Sequence, residues 1–392
     1  MSVLMAMPFS PVPPDFGGAL RVYHLLRQVA RRHHVTVLTY GTPQDAGRLR
    51  SEFDLPQVRV VAPTWKAASR RVGQAFSTFT RHSFFQQSVT GPAFQAELDT
   101  LLKEQKFDVV QTEFSHLGPF SLKTRALKVL DTHNVEYDNF RRMYDSSPWG
   151  IRKLHYGLEF QKMKADELAW ARLQDVVLTT SDRDKALFAK DLSNPIYVVP
   201  NGMDGEYFAP RPDVVPEEHA LVFTGMMGYV PNHDGITWFL DEVLPLIQRR
   251  VPKVKLYVVG KSPPEQITRR ASDSVVVTGT VPDVRPFVWR SSVYVVPLRM
   301  GGGTRLKVAE ALAMKKPMVS TRIGCEGIDL KDGESALMAD TPQDFADAVV
   351  RLLGDGALRK LLAENGHAVA RQKYDWNVIG QTLEAVYARG AR

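Results

Sequence analysis

The chain has 392 residues, 44% hydrophobic and 24% charged, an ordinary globular composition with material for two or three domains. No apolar run approaches the roughly 20 residues of a membrane span, and Cys325 is the only cysteine, which excludes an intrachain disulfide and a cysteine-based metal centre. The net charge of +7 is compatible with a plain basic surface, nucleic acid, an anionic membrane or an anionic small ligand, and does not choose among them.

The opening MSVLMAMPFSPVPP has no basic start and meets prolines early, so it reads as a first strand at 3–7 and not as a signal peptide. With one cysteine, it points to a reducing cytoplasm. A Pro/Gly loop then leads to a helix near 18–32 and a strand at 35–40. Gly17 and Gly18 open that helix, where backbone can pass close to a ligand. They do not form a G-x-G-x-x-G fingerprint, which disfavours a nicotinamide cofactor, and a plain tight turn is the alternative. Residues 65–87, WKAASRRVGQAFSTFTRHSFFQQ, mix Arg and Lys with Phe and Trp at helical spacing. An ordinary surface helix and a contact with an anionic membrane both fit.

Strands follow at 107–113 and 127–133, the second ending in LDTHNVEY. His133 and Asn134 thus stand at a sheet's carboxyl edge, where ligands bind in open α/β folds. A helix at 151–172, a strand at 175–181 and a run at 195–202 complete a first series. Asp182-Arg183-Asp184 imitates a metal-holding D-x-D, but Ser181 or Asp182 as N-cap with acids in the first turn explains it better. The remaining histidines show no metal-binding spacing.

After the turn-forming Pro200-Asn201-Gly202 a second series runs through 219–225, a helix at 236–250, strands at 254–260, 275–280 and 293–298, then 317–321 and a helix at 342–353. Strand–helix alternation of this kind predicts parallel sheets covered on both faces. The fold class is therefore α/β: two Rossmann-like domains facing a central cleft, residues 1–199 and 200–375.

The stretch PLRMGGGTRLKVAEALAMKKP, 297–317, sets three glycines against a helix start. Glycines admit close approach to the main chain, and a helix N-terminus attracts anions. Thr304 is expected at or near the N-cap, with the N–H groups of Gly302 and Gly303 free for a ligand. Lys307 and Glu310 share a helical face. They read either as a solvated ion pair or, with Arg305, as two cations for a diphosphate and a carboxylate for a ribose diol.

Together these segments resemble the retaining glycosyltransferases of family 4, with the GT-B fold, and among them bacterial members tied to polysaccharide assembly. The resemblance runs over nearly the whole chain: Gly17-Gly18, DTHNVEY, TTSDRDKALF, VVPNGMDGEYFAP, FTGMMGYVPNHDGITWF, GTVPDVRPF and GGGTRLKVAEALAMKKPMVSTRIGCEGI. It implies a nucleotide-sugar donor, no further cofactor, no metal, and a glycan, lipid-linked or small-molecule hydroxyl acceptor. It implies that a C-terminal helix at 376–392 crosses back to join the first domain, while the cytoplasm expected from cysteine usage and a peripheral membrane contact through 65–87 rest on the residues themselves. Gly18 is implied to approach the donor diphosphate and His133 to lie beside the transferred sugar. Arg305 and Lys307 are implied to stabilise the leaving diphosphate, Glu310 to hold the ribose, and Thr280 and Val281 to meet the nucleobase.

Two departures stand out. The family's E-x7-E motif ends at Glu310 but begins at Gly302, and the basic pair usual after the second domain's first strand is replaced by Gly225-Met226 and Asn232-His233. The diphosphate's positive charge must then come from Arg305 and Lys307. A two-acid glycosidase lacks its carboxylate pair here, a nucleotide-sugar epimerase its acid set, and a nucleic-acid binder its recognition module. A non-catalytic partner subunit is the alternative that Gly302 motivates.

Overall fold

In a computed structural model the described residues are 1–63, 82–83, 91–301 and 304–390. The chain divides into two units, Met1–Pro200 with Gly380–Arg392, and Asn201–Ile379.

The first unit holds a seven-stranded parallel sheet in the order β3-β2-β1-β4-β5-β6-β7. Its strands are β1 (Ser2–Met7), β2 (His34–Tyr40), β3 (Gln57–Val61), β4 (Val109–Glu113), β5 (Leu127–Asp131), β6 (Val176–Thr179) and β7 (Ile196–Val198). Leu4 pairs with Val110 and Thr112 with Leu130. Val3 through Met7 are all buried, because a parallel sheet is covered on both faces and reads as continuous hydrophobic sequence.

The second unit repeats the plan with six parallel strands in the order β10-β9-β8-β11-β12-β13. These are β8 (Ala220–Thr224), β9 (Lys255–Val259), β10 (Val275–Gly279), β11 (Val293–Val296), β12 (Met318–Ser320) and β13 (Leu337–Met338). One core runs from Met203 to Tyr374, with Phe223, Phe239 and Phe345 fully enclosed.

In each sheet the chain winds to one side and then restarts on the other, so the order reverses between β1 and β4 and again between β8 and β11. Loops leaving the carboxyl ends of strands at such a reversal are where this architecture opens for ligands. Gly17 follows β1, His133 follows β5, Gly225 follows β8, and residues 297–301 follow β11.

The helix expected at 236–250 is three pieces: Val230–Trp238, a wider π turn over Phe239–Val243, and Leu244–Arg250. Pro245 has no N–H for the regular i→i−4 bond, and the ladder slips register before it. At 182–188 the helix reading holds: the Ser181 side chain accepts from Asp184 N, with Asp182 and Asp184 in the first turn.

Candidate functional site

In the first unit, three strand ends and one helix converge. Arg21, on the helix Gly17–Ala30, donates from Nε to Asp131 Oδ2 at 2.9 Å and from Nη2 to Asp131 Oδ1 at 3.0 Å, and from Nη1 to the Pro200 carbonyl at 3.0 Å. His133 Nε2 lies 2.8 Å from Glu113 Oε2 and 3.7 Å from Asp131 Oδ2. Gln111 donates to the other Glu113 oxygen at 2.6 Å, and Tyr387, from the C-terminal helix Trp376–Gly390, donates to Gln111 at 2.6 Å. Burial, with Glu113 and Asp131 nearby, drives the Tyr387 phenol well above its ordinary value.

His133 and Phe114 are both left-handed, with φ of 58° and 70°, and their rings stack with centroids 3.7 Å apart. Non-glycine residues accept that conformation only where surroundings fix it. Here Thr180 Oγ1 donates to the His133 carbonyl at 3.2 Å and Phe114 N to the Asp131 carbonyl at 2.7 Å. Gly18 belongs to the same assembly, since a Cβ there would come within 2.6 Å of Phe114, whereas Gly17 faces open space.

The scarcity of metal-ligand types expected from spacing needs amending. Glu113, Asp131 and His133 bring ligand atoms within 4.8 Å of one another. Linear spacing hides the group because parallel register assembles it from β4, β5 and the turn beyond. Its carboxylates are already engaged by Arg21, Gln111 and His133, which makes it first a hydrogen-bonded core.

Beside it, Glu167, from the helix Ile151–Arg172, accepts Ser115 Oγ at 2.5 Å and the N–H groups of Glu136 at 3.2 Å and Tyr137 at 3.0 Å. It thus caps the helix Glu136–Ser146 from outside. Burial pushes its carboxyl up to about 8, with the Glu136 carboxylate adding to the shift.

In the second unit the glycine stretch is arranged differently from expectation. Gly302 and Gly303 lie outside the described residues, as does most of 65–87. The helix runs Leu306–Ala313, and Arg305, not Thr304, takes the cap position. The reason is that the Arg305 carbonyl is the first to accept at helical spacing, from Val308 N at 2.9 Å and Ala309 N at 3.4 Å, whereas the Thr304 carbonyl accepts from Leu306 N at 3.1 Å in a tighter turn. Thr304 Oγ1 is enclosed and has no hydrogen-bond partner among the described residues.

Arg305 is 7% exposed. Its Nε donates to the Ile323 carbonyl at 3.3 Å and its Nη2 lies 3.9 Å from Glu326. Lys307 Nζ donates to Asn232 Oδ1 at 2.6 Å and stands 4.4 Å from the centre of the Phe223 ring. Asn232 is held in turn by its own donation to the Met226 carbonyl at 2.9 Å. Gly225, at φ 155°, makes room for the amine, because a Cβ would lie 2.7 Å from Nζ. Lys307, Asn232 and Gly225 are therefore brought together, with Glu310 one turn further along the helix. Desolvation pushes the Lys307 amine down to about 7, opposed by Glu310 and helped by Arg305, and pushes the Glu310 carboxyl up to about 7, opposed by Lys307.

Thr280 and Val281 sit just beyond β10, at the sheet's edge and two strands from β8. Thr280 is exposed, and Val281 packs partly on the core. Spacing alone does not reveal Arg21, Glu113, Asp131 or Tyr387. The single signal was their residue type, charged or phenolic within otherwise apolar runs.

The family model described as Glycosyltransferase Family 4 matches residues 17–207, and that described as Glycosyl transferases group 1 matches 218–355. A 44.6 kDa protein of the cps region of Klebsiella pneumoniae is 22% identical over 392 residues, covering 93% of this chain and 94% of that one. The phosphatidyl-myo-inositol mannosyltransferase of Mycobacterium tuberculosis is 28% identical over 224 residues, covering 54% of this chain and 58% of that one. Anabaena HepE, solved in complex with UDP and also with UDP-glucose, superposes with a TM-score of 0.69 in the UDP complex at 14% identity, over 99% of this chain and 100% of that one. The chain belongs to glycosyltransferase family 4, and its two parallel α/β units are those of a GT-B glycosyltransferase.

Proposed function

We propose that the enzyme moves a sugar from a nucleoside-diphosphate donor to a hydroxyl of a glycan, lipid-linked glycan or small molecule, with retention at the anomeric carbon and without a metal ion. The observation carrying this reading is the setting of Lys307. Lys307 stands in the first turn of a helix, where the dipole disfavours a cation, and its amine is desolvated against a neutral amide and an aromatic ring, with the Glu310 carboxyl offsetting part of that cost. An arriving anion relieves all of these costs at once. Structural neighbours solved with UDP and UDP-glucose support this class of donor, and the mannosyltransferase relative supports a hexose.

In the reaction the bond between the anomeric carbon and the diphosphate oxygen breaks. The acceptor oxygen bonds to the same carbon from the same face, and its proton passes to the departing diphosphate. Lys307 and Arg305 offset the charge that develops there, the role a divalent ion takes in other transferases. Glu310 accepts the ribose hydroxyls, the backbone around Thr280 and Val281 meets the base, and His133 is the first unit's group for the transferred sugar.

The test is release of nucleoside diphosphate from UDP-, GDP- or TDP-hexoses by the purified chain in the presence of a chelator. Turnover of one donor is expected. Turnover only after metal is restored would remove the metal-free mechanism, and none with any donor, with or without metal, would remove the whole reading.

A further inference from the structure

We infer that the helical hairpin formed by Glu136–Ser146 and Ile151–Arg172 docks the enzyme on an anionic lipid bilayer. The base of this hairpin is fixed: Glu167 caps its first helix, and Tyr137 and Met163 are buried in the core. Its tip is not. Trp149 is 81% exposed, Ile151 88%, Leu154 60%, Leu158 48% and Met143 45%. Ile151, Leu154 and Leu158 follow i, i+3, i+7 spacing, so they form one stripe along the second helix, with Trp149 at its start. Isolated exposed apolar residues are ordinary, but a stripe of them along one helix marks a contact surface.

Charge chooses the occupant. Between 141 and 164 stand Arg141, Arg142, Arg152, Lys153, Lys162 and Lys164 against only Asp145 and Glu159. Arg141, Arg142 and Arg183 converge on the carboxylate of Asp138 at 2.9, 3.0 and 2.6 Å, and Lys162 and Lys164 pair with Glu159 and Asp191, so the uncompensated charge lies at the tip, where residues 146–158 include Arg152 and Lys153 and no acid. Lys153 stands 5.4 Å from the Trp149 ring centre and donates to the Ser147 carbonyl at 3.1 Å, which sets a cation beside the most exposed aromatic. Exposed apolar side chains with Arg152 and Lys153 among them, and a tryptophan at the boundary, match the headgroup region of an anionic bilayer. A second copy of the same hairpin would bring like charges together.

Full-length chain is to be sedimented with phosphatidylcholine vesicles, with and without about a third phosphatidylglycerol. Binding is expected only with phosphatidylglycerol, and Trp149→Ser, Ile151→Ser and Leu154→Ser together should lower it at least ~10-fold with an unchanged melting curve. Arg152→Gln with Lys153→Gln should lower it several-fold, a check independent of the apolar substitutions. Equal binding to both vesicle types, or undiminished binding by the triple variant, overturns the inference. So does a lipid-free dimer that the triple variant converts to monomer, which would make the hairpin a self-association face. Donor turnover without lipid is read separately, so failure here leaves the nucleotide reading intact.

Discussion

The two sheets treat charge at their carboxyl edges in opposite ways. At the first unit's edge every carboxylate meets its counterpart inside the protein: Asp131 takes both arms of Arg21, and Glu113 takes His133 and Gln111. At the second unit's edge, a lysine is anchored by an amide oxygen and a ring, and burial disfavours its charge. The first arrangement holds a conformation, the strained turn at His133. The second leaves a desolvated lysine on a neutral acceptor, with the Glu310 carboxyl one helical turn away. Under the proposed function the first set of charges builds structure and the second meets an anion, a difference that follows from what each touches.

The largest effect should come from breaking the closed edge. Arg21→Met leaves Asp131 fully buried and uncompensated, which typically costs about 3–5 kcal/mol. The measurement is the first unit's urea midpoint. A shift corresponding to less than about 1 kcal/mol would show that this edge is not closed on itself. The converse change, Lys307→Ala, should barely disturb folding but lower turnover on the order of 100-fold, as should Arg305→Ala. A destabilised but fully active Lys307→Ala would reverse the comparison.

How much of this was legible follows from the same contrast. Buried parallel strands such as VYVV in β11 and VVLT in β6 announce themselves as apolar runs, so the α/β class was readable. Lys307 and Glu310 were readable too, because their spacing along a helix is a local property. The closed edge was not. Arg21 and Asp131 are 110 residues apart, and only the register of β1, β4 and β5 brings their neighbourhoods together. The start of the helix at Leu306 was missed for a local reason: a threonine is the better cap by residue type, yet the chain's path makes the Arg305 carbonyl the first to accept at helical spacing.

A smaller effect sharpens the open edge. Glu310→Gln keeps the side chain's size but removes its charge, so nucleoside diphosphate affinity measured by calorimetry should fall about 10-fold, as for loss of one charge-assisted hydrogen bond. Unchanged affinity would take Glu310 out of ribose recognition.

The smallest effect is the most diagnostic, because Lys307 and Glu310 should leave opposite proton signatures on binding. In the free protein burial holds both near 7, the lysine pushed down and the carboxyl pushed up. A diphosphate favours the ammonium and raises the Lys307 value. Above 7 the free amine is largely neutral, so binding there must take up a proton, approaching one at about pH 8. Ribose hydroxyls favour the carboxylate and lower the Glu310 value. Below 7 the free carboxyl is largely protonated, so binding there must release a proton. Net uptake should therefore change sign near neutrality, which calorimetry in buffers of different ionisation enthalpy resolves. Lys307→Met should abolish the uptake and spare the release, and Glu310→Gln should do the reverse. Proton release above pH 7 would mean that the lysine does not meet the phosphates, and the second edge would then be as closed as the first.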